Sequence, residues 1–341
     1  RYLAQSMAQR ESVQLCFGHT LEGFEQDAQG VRVQCTDERG ESLLIHADYL
    51  VGCDGGRSTI RSLLGIEMRG ESNPQPWLVI DTIDLHLDGQ LDCRFFCDPE
   101  RPGMTIRKRH GERRWEWMLM PGEDREFLLE DENIRNIIAP YTDVDKVDIY
   151  RKRVYDFHAI IAQRWREGRV ILAGDAAHMT PPFAGQGLNS GFRDVSNLSW
   201  KLAAVVKGEA GASILDSYEL ERRDHAWELI ETALDLGRQI QPVDPAQAAE
   251  RDAFFAELNK DPASVKALEN EMFSSIMARS VDSGLVVAAG EDTVSGKLLI
   301  QPELVAGDGR AMLLDDALGA GFSILGYNCD PAQVLDKTLL S

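Results

Sequence analysis

The chain has 341 residues with a formal charge of −20, from 36 basic against 56 acidic side chains; the length exceeds one small core and predicts two lobes, or a lobe with an extension. So acidic a composition argues against nucleic acid or an anionic membrane as partner, because both require a cationic footprint. With 43% apolar and 27% charged residues the chain reads as globular, and its apolar stretches fall far short of the ~20 residues that span a bilayer.

The first residues read as a helix with Leu3, Met7 and Ala8 on one face and neither a starting methionine nor a cap, so a truncated start is expected. No charged head precedes an apolar run, as a signal peptide would require. Cys16, Cys35, Cys53, Cys93, Cys97 and Cys329 fit no CxxC or zinc spacing, which favours reduced, mostly buried thiols in a cytoplasmic protein. From Val13 to Val51 the apolar period becomes two. Val13-Gln14-Leu15, Val31-Arg32-Val33 and Leu43-Leu44-Ile45, separated by turn residues, predict an antiparallel meander feeding a buried strand at Tyr49 to Gly52.

Residues 65–155 are rich in alternating strands, among them Leu78 to Ile80, Cys93 to Phe96 and Trp115 to Leu119, and predict a second sheet. A short apolar strand follows at Val170 to Ala173, then a helix over Gly187 to Val206 and another over Tyr218 to Gly237 with Arg222 and Arg223 on its wet side. Pro242 to Pro245 breaks the helical pattern, Ala246 to Leu258 is amphipathic, and strand-like pieces recur at Lys297 to Ile300 and Phe322 to Leu325.

Two segments carry chemistry. In the first, Asp48 to Arg61, an apolar strand ends in Asp54 and the glycines Gly55 and Gly56 before a helix start. Such an acid either caps the helix or brings bare backbone to a ligand at the strand's carboxyl end. In the second, Gly168 to Gly191, a strand runs into Gly174-Asp175-Ala176-Ala177-His178, a turn stiffened by Pro181 and Pro182, and Gly185-Gln186-Gly187-Leu188-Asn189 opening a helix. A carboxylate, exposed amides and a positive helix end then lie within one stretch, an arrangement suited to a polyol and to a ring that becomes anionic.

These two segments, in this order and at this separation, resemble the group A flavoprotein monooxygenases of the p-hydroxybenzoate hydroxylase-like fold. The similarity continues in Cys97 to Pro102, Asn197 to Ala203, Glu221 to Ala226 and Leu313 to Gly319, which resemble the members acting on 3-(3-hydroxyphenyl)propionate. The resemblance implies an α/β (α+β) fold: an incomplete Rossmann-like FAD-binding domain in residues 1–64 and 156–240, an inserted mixed β-sheet substrate domain in 65–155, and a C-terminal extension in 241–341. It implies FAD and NAD(P)H, with NADH favoured, as cofactors, and a phenolic acid and O2 as substrates. A hydroperoxide formed at flavin C4a would deliver oxygen ortho to the phenol.

By the same resemblance Asp54, Gly55, Ser58 and Arg61 would lie near the FAD pyrophosphate, while Gly174, Asp175, Ala176, His178 and Pro181 would hold the ribityl region. Residues Gly185 to Asn189 would offer amides to the flavin's pyrimidine edge, and His178 would be near the cofactor without being catalytic. Candidates for the substrate's acid tail are Arg94, Arg107 and Arg109, and Tyr155 and His158 could meet the phenol. The family's N-terminal strand, G-x-G-x-x-G turn and helix are absent from these residues, so the chain alone is expected to be inactive. The strand at Val170 to Ala173 should then expose an edge that a second copy would cover. Other phenol hydroxylases of the family and a flavin-free binding module are the alternatives; a halogenase would carry a tryptophan-rich motif and a flavin-side lysine that are not found.

Overall fold

A computed structural model describes residues 2–72, 75–83, 93–277, 284–285, 301–319, 323–325, 330 and 333. Helix α1 (Tyr2–Ala8) forms where the apolar spacing predicts it. Val13 to Leu15, expected as a strand, is irregular, and the meander begins instead at β1 (Thr20–Gln26). Its apolar residues Leu21 and Phe24 stand at odd spacing, yet both pack on the core because a register shift between Leu21 and Gly23 returns them to one face. Strands β2 (Val31–Thr36) and β3 (Ser42–Ala47) complete an antiparallel sheet in which Val31, Val33 and Cys35 point inward.

Next come β4 (Leu50–Gly52), α2 (Thr59–Leu63) and β5 (Met68–Ser72). The second sheet is built from β6 (Trp77–Ile83), β7 (Cys93–Phe96), β8 (Gly103–Arg107), β9 (Glu112–Met118) and, after α3 (Arg125–Leu128) and α4 (Asp131–Ile138), β10 (Asp148–Tyr155). Its order is β10-β6-β9-β8-β7, and every pairing is antiparallel. Where the resemblance implied a mixed sheet, the described strands pair antiparallel throughout; β7, β8 and β9 follow one another through short links that leave no room for the crossover parallel neighbours need. One face buries Leu78, Ile80, Trp115 and Trp117 against Leu128, Ile134 and Ile138 of the two helices. Period-two alternation sends Met104, Ile106, Arg114 and Glu116 to the other face.

Strand β11 (His158–Ala162) lies between β5 and β14 (His178–Met179). Strands β12 (Arg166–Glu167) and β13 (Val170–Leu172) form a sheet of order β12-β13-β4, with β13 parallel to β4 in the register Val170↔Leu50 to Leu172↔Gly52. This corrects the expectation of an exposed edge at Val170 to Ala173: β13 is the central strand, its residues fully buried, and the case for a covering second copy loses its premise. Helices α5 (Gly187–Val206), α6 (Asp216–Ile240), α7 (Pro245–Leu258) and α8 (Pro262–Met277) follow. Arg222, expected on the wet side of α6, is buried because it is bonded to Asp194. The thiols also differ from expectation: of the five described, Cys35 is buried, Cys97 is half-buried and Cys16, Cys53 and Cys93 are exposed.

Residues 1–296 form one compact unit and 297–341 another. In the second, β15 (Glu303–Val305) and β16 (Ala311–Leu313) make an antiparallel hairpin followed by α9 (Leu314–Leu318). The strand expected at 297–300 lies outside the described residues, as do Phe322 and Cys329, and Ser323 to Leu325 forms no strand. Among the described residues no helix is long and apolar enough to cross a membrane.

Candidate active site

Because β4 and β13 are parallel neighbours, both chemistry-bearing segments leave the sheet at the same edge. Arg61 joins them: its Nη1 donates to the Ala176 carbonyl at 2.9 Å and its Nη2 to the Gly56 carbonyl at 2.6 Å. Ser58 Oγ accepts the Arg61 amide at 2.9 Å and Asp54 Oδ2 accepts the Ile60 amide at 3.1 Å, so both cap α2. Gly55 turns the chain at φ +81°, in the region that favours glycine.

The second segment is braced from behind. Asp194 of α5 accepts at Oδ2 from the Gly174 amide (3.0 Å) and from His178 Nε2 (2.7 Å), and at Oδ1 from Arg222 Nε (3.0 Å). Burial alone would raise the Asp194 pKa; the His178 hydrogen bond, with Arg222 and the Gly174 amide, outweighs it and holds the carboxyl below its ordinary range. His178 is 1% exposed and stacked on Trp165 at 5.2 Å. It fixes the Gly-Asp turn to α5 and does not line the cavity described next.

A cavity of about 700 Å³ opens between this segment and the second sheet. Asp175, Gly185, Gly187 and Leu188 line one side, Phe95, Met104, Ile106, Arg114 and Glu116 the other, and Tyr155 and His158 lie between. Gly174, Ala176, Pro181, Gln186 and Asn189 adjoin the lining without forming it, and Asp54, Gly55, Ser58 and Arg61 belong to the junction of the two segments. Arg94 projects to the opposite face of the sheet, into a separate pocket of about 230 Å³ with Trp115 and Tyr141. Arg107 and Arg109 are exposed and do not line the cavity.

Arg114 is the Lys/Arg side chain in that lining among the described residues, and with Glu116 it was missed at the level of sequence. The signal that finds both is parity: once Trp115 and Trp117 are assigned inward, Arg114 and Glu116 must share the other face.

A flavin fits this geometry. The Asp175 carboxylate is exposed to the cavity and makes no hydrogen bond with a described residue. Helix α5 starts with no side-chain cap, which leaves first-turn amides beside the cavity. At Gly185, whose φ is +62°, and at Gly187 a Cβ would meet nothing within 4 Å, so open space fronts the loop.

The family model described as an FAD binding domain matches residues 1–233, and one described as an HcaD C-terminal domain matches residues 296–341. A 3-(3-hydroxy-phenyl)propionate/3-hydroxycinnamic acid hydroxylase from Burkholderia cenocepacia is 40% identical over 336 residues, covering 98% of this chain and 61% of the relative. The enzyme of the same name from Klebsiella pneumoniae is 41% identical over 326 residues, 95% of this chain and 58% of the relative. This chain thus spans about three fifths of the length of these relatives. Among solved structures, aklavinone-11 hydroxylase in complex with FAD and aklavinone superposes with a TM-score of 0.71 at 27% identity, covering 89% of this chain and 57% of that one. The p-nitrophenol 4-monooxygenase of Pseudomonas putida gives 0.71 at 26% identity over 80% and 70% of the respective chains.

Proposed function

Since the chain belongs to the FAD binding domain family of flavin-dependent aromatic hydroxylases, we propose that the protein carrying it hydroxylates a phenolic acid, such as 3-(3-hydroxyphenyl)propionate, ortho to its hydroxyl. NADH or NADPH would supply the electrons, NADH by preference, and O2 the oxygen atom. The observation that carries this reading is one cavity in which an unpartnered Asp175, an uncapped α5 and bare glycines face an apolar wall of Phe95, Met104 and Ile106.

In this reading Asp175 accepts from ribityl hydroxyls, and the amides from Gly185 to Asn189 face the pyrimidine edge of the ring, where they favour the negative charge of its reduced form. Asp54, Gly55, Ser58 and Arg61 shape the approach to the pyrophosphate. Bound FAD supplies the redox and oxygen chemistry. The chain's own residues orient the aromatic ring and keep water from it: Phe183, Phe157 and Met104 wall the cavity, while Trp77 packs on Phe183 and Phe157. Residues 1–64 and 156–240 would then form the cofactor domain, 65–155 the substrate sheet and 241–341 the C-terminal extension. A cytoplasmic setting, where nicotinamide reductant is available, goes with this reading.

Stopped-flow reduction of the flavin in the full-length protein tests it. Flavin reduction should accelerate when a meta-substituted phenol with a carboxylate side chain is present, in a series over phenylpropionate, cinnamate and benzoate analogues. A flat response across all phenols would remove the assignment.

A further inference from the structure

Two side-chain ends on the sheet side of the cavity, Arg114 Nη1 and the Glu116 carboxylate, make no hydrogen bond with a described residue. Arg114 directs Nε and Nη2 at Asp81, at 2.8 and 3.0 Å, and Lys108 (3.0 Å) and Arg151 (3.4 Å) hold the same carboxylate. Burial would raise the Asp81 pKa, but the hydrogen bonds from Arg114 and Lys108 prevail and bring it to about 2. With Asp81 so occupied, Arg114 Nη1 is left 3.9 Å from Glu116 Oε1, too long for a hydrogen bond. The Glu116 side chain is 8% exposed and has no closer polar partner among the described residues. The carboxylate lines the cavity, so a ligand there can complete its bonding.

Other ionisable groups around the cavity are already engaged. Tyr155 accepts from Arg151 at 2.5 Å, Asp156 pairs with Arg125 at 2.9 Å, and His158 Nδ1 meets Ser72 Oγ at 2.8 Å. Cys93 is the neighbouring thiol on the sheet, its pKa raised by burial and then by Glu116, and Asp175 belongs to the cofactor side.

We propose that Arg114 and Glu116 receive the phenolic hydroxyl of the substrate, which accepts a hydrogen bond from Arg114 Nη1 and gives its proton to Glu116. The proposal rests on the aromatic hydroxylase reading above and names the residues that read the phenol. A hydroxyl both donates and accepts, so it satisfies the two groups together; a carboxylate tail has only acceptors and would confront Glu116 with like charge. In the transfer the phenolic O–H bond breaks and an O–H bond forms on Glu116. The negative charge moves from the carboxylate to the phenolate oxygen beside Arg114, and no electron is exchanged. The phenolate is the more electron-rich ring at its ortho carbon, where the oxygen atom is to be added. Burial pushes the Glu116 pKa up, with Arg114 opposing and Asp81 adding to it, which narrows the gap to a phenol near 10.

The test uses the FAD-loaded full-length protein and two variants. Glu116→Leu removes the acceptor: the wild type should bind 3-(3-hydroxyphenyl)propionate roughly 10- to 100-fold more tightly than phenylpropionate without the hydroxyl, and the variant should lose that preference. Glu116→Gln keeps a neutral acceptor, so binding should stay within a few-fold while kcat falls roughly 10²- to 10⁴-fold, a loss that shrinks as fluorine substituents make the phenol more acidic. An undiminished hydroxyl preference in Glu116→Leu, or tighter binding of both acids by it, would overturn the proposal. So would wild-type turnover of every phenol by Glu116→Gln. A wild type that binds FAD yet shows no phenol-stimulated turnover would remove the parent reading as well, and the three failures are distinguishable.

Discussion

Two aspartates on or near the second segment show how environment divides one side chain between two tasks. Asp194 spends both oxygens inside the protein, on the Gly174 amide, His178 and Arg222. Asp175 leaves both to the cavity. Replacing Asp175 should therefore affect the ligand and spare the fold. Asp175→Ala in the full-length protein is expected to weaken FAD binding by about 1.5–3 kcal/mol, the range for a hydrogen bond to a charged group, with the melting temperature of the flavin-free protein unchanged. Titrating FAD into both forms checks this, and equal dissociation constants would count against the ribityl role. The Gly-Asp segment was legible in the sequence because it concentrates unusual backbone demands, and Gly174 and Gly185 do sit at φ +60° and +62°. Arg114 and Glu116 were not, because which face a strand residue takes depends on a register that pairing between distant strands decides. Arg107 and Arg109 stay out of the cavity lining for a related reason: Arg107, paired with Arg113, takes the parity of the opposite face, and Arg109 lies in the turn between β8 and β9, where His110 adopts φ +62°.

At the scale of elements, the long helices were the most legible parts, since α6 sustains an apolar stripe from Tyr218 to Ile240 and α5 shows the same spacing at Leu198, Leu202 and Val205. Strand β1 was illegible because its bulge breaks the period of two. What the stripe did not reveal is how α5 is held to α6. Lys201, fully buried, donates from Nζ to Glu221 Oε2 at 2.7 Å and to Asn197 Oδ1 at 2.9 Å, and Asn197 Nδ2 also donates to Glu221 Oε2. Glu221 Oε1 accepts the Leu285 amide at 2.7 Å. Burial lowers the Lys201 pKa, with Glu221 opposing, so removing the carboxylate would strand a buried ammonium. Glu221→Ala is expected to cost about 3–5 kcal/mol, the range for breaking a buried pair from one side. Lys201→Met should cost less, since Glu221 keeps the Asn197 and Leu285 donors and the methionine fills most of the vacated volume. Urea unfolding midpoints of the two variants decide this; equal losses would show that the pair is not asymmetric in the way its donors indicate. Because α5 starts beside the cavity, loosening this clasp should also weaken FAD retention.

For the whole molecule, the division of labour between core and cofactor site leads to a prediction about the chain on its own. The two larger hydrophobic clusters of the first unit have fully buried centres: Val170, Ile171 and Leu172 lie among the helices and the meander, and Ile80 of the sheet lies against Ile134 and Ile138 of α4. Nothing in those clusters requires a flavin, so the 341-residue chain expressed alone should unfold cooperatively. The cofactor site is a different matter. Its ribityl and ring end is present in Asp175 and in the loop before α5, whereas the family resemblance assigns the adenine and diphosphate end to a strand, G-x-G-x-x-G turn and helix that these residues do not contain. Helix-terminal amides and one carboxylate can recognise part of FAD, but the pyrophosphate would stay solvated and contribute little. We therefore expect the isolated chain to retain no stoichiometric flavin after gel filtration from excess FAD, and to form no catechol from 3-(3-hydroxyphenyl)propionate with NADH. Covalently supplying the strand, turn and helix from a relative at the N-terminus should restore flavin binding. A yellow, stoichiometrically loaded chain that turns over without that addition would show that the loop before α5 and the Asp54 to Arg61 junction suffice to hold the cofactor.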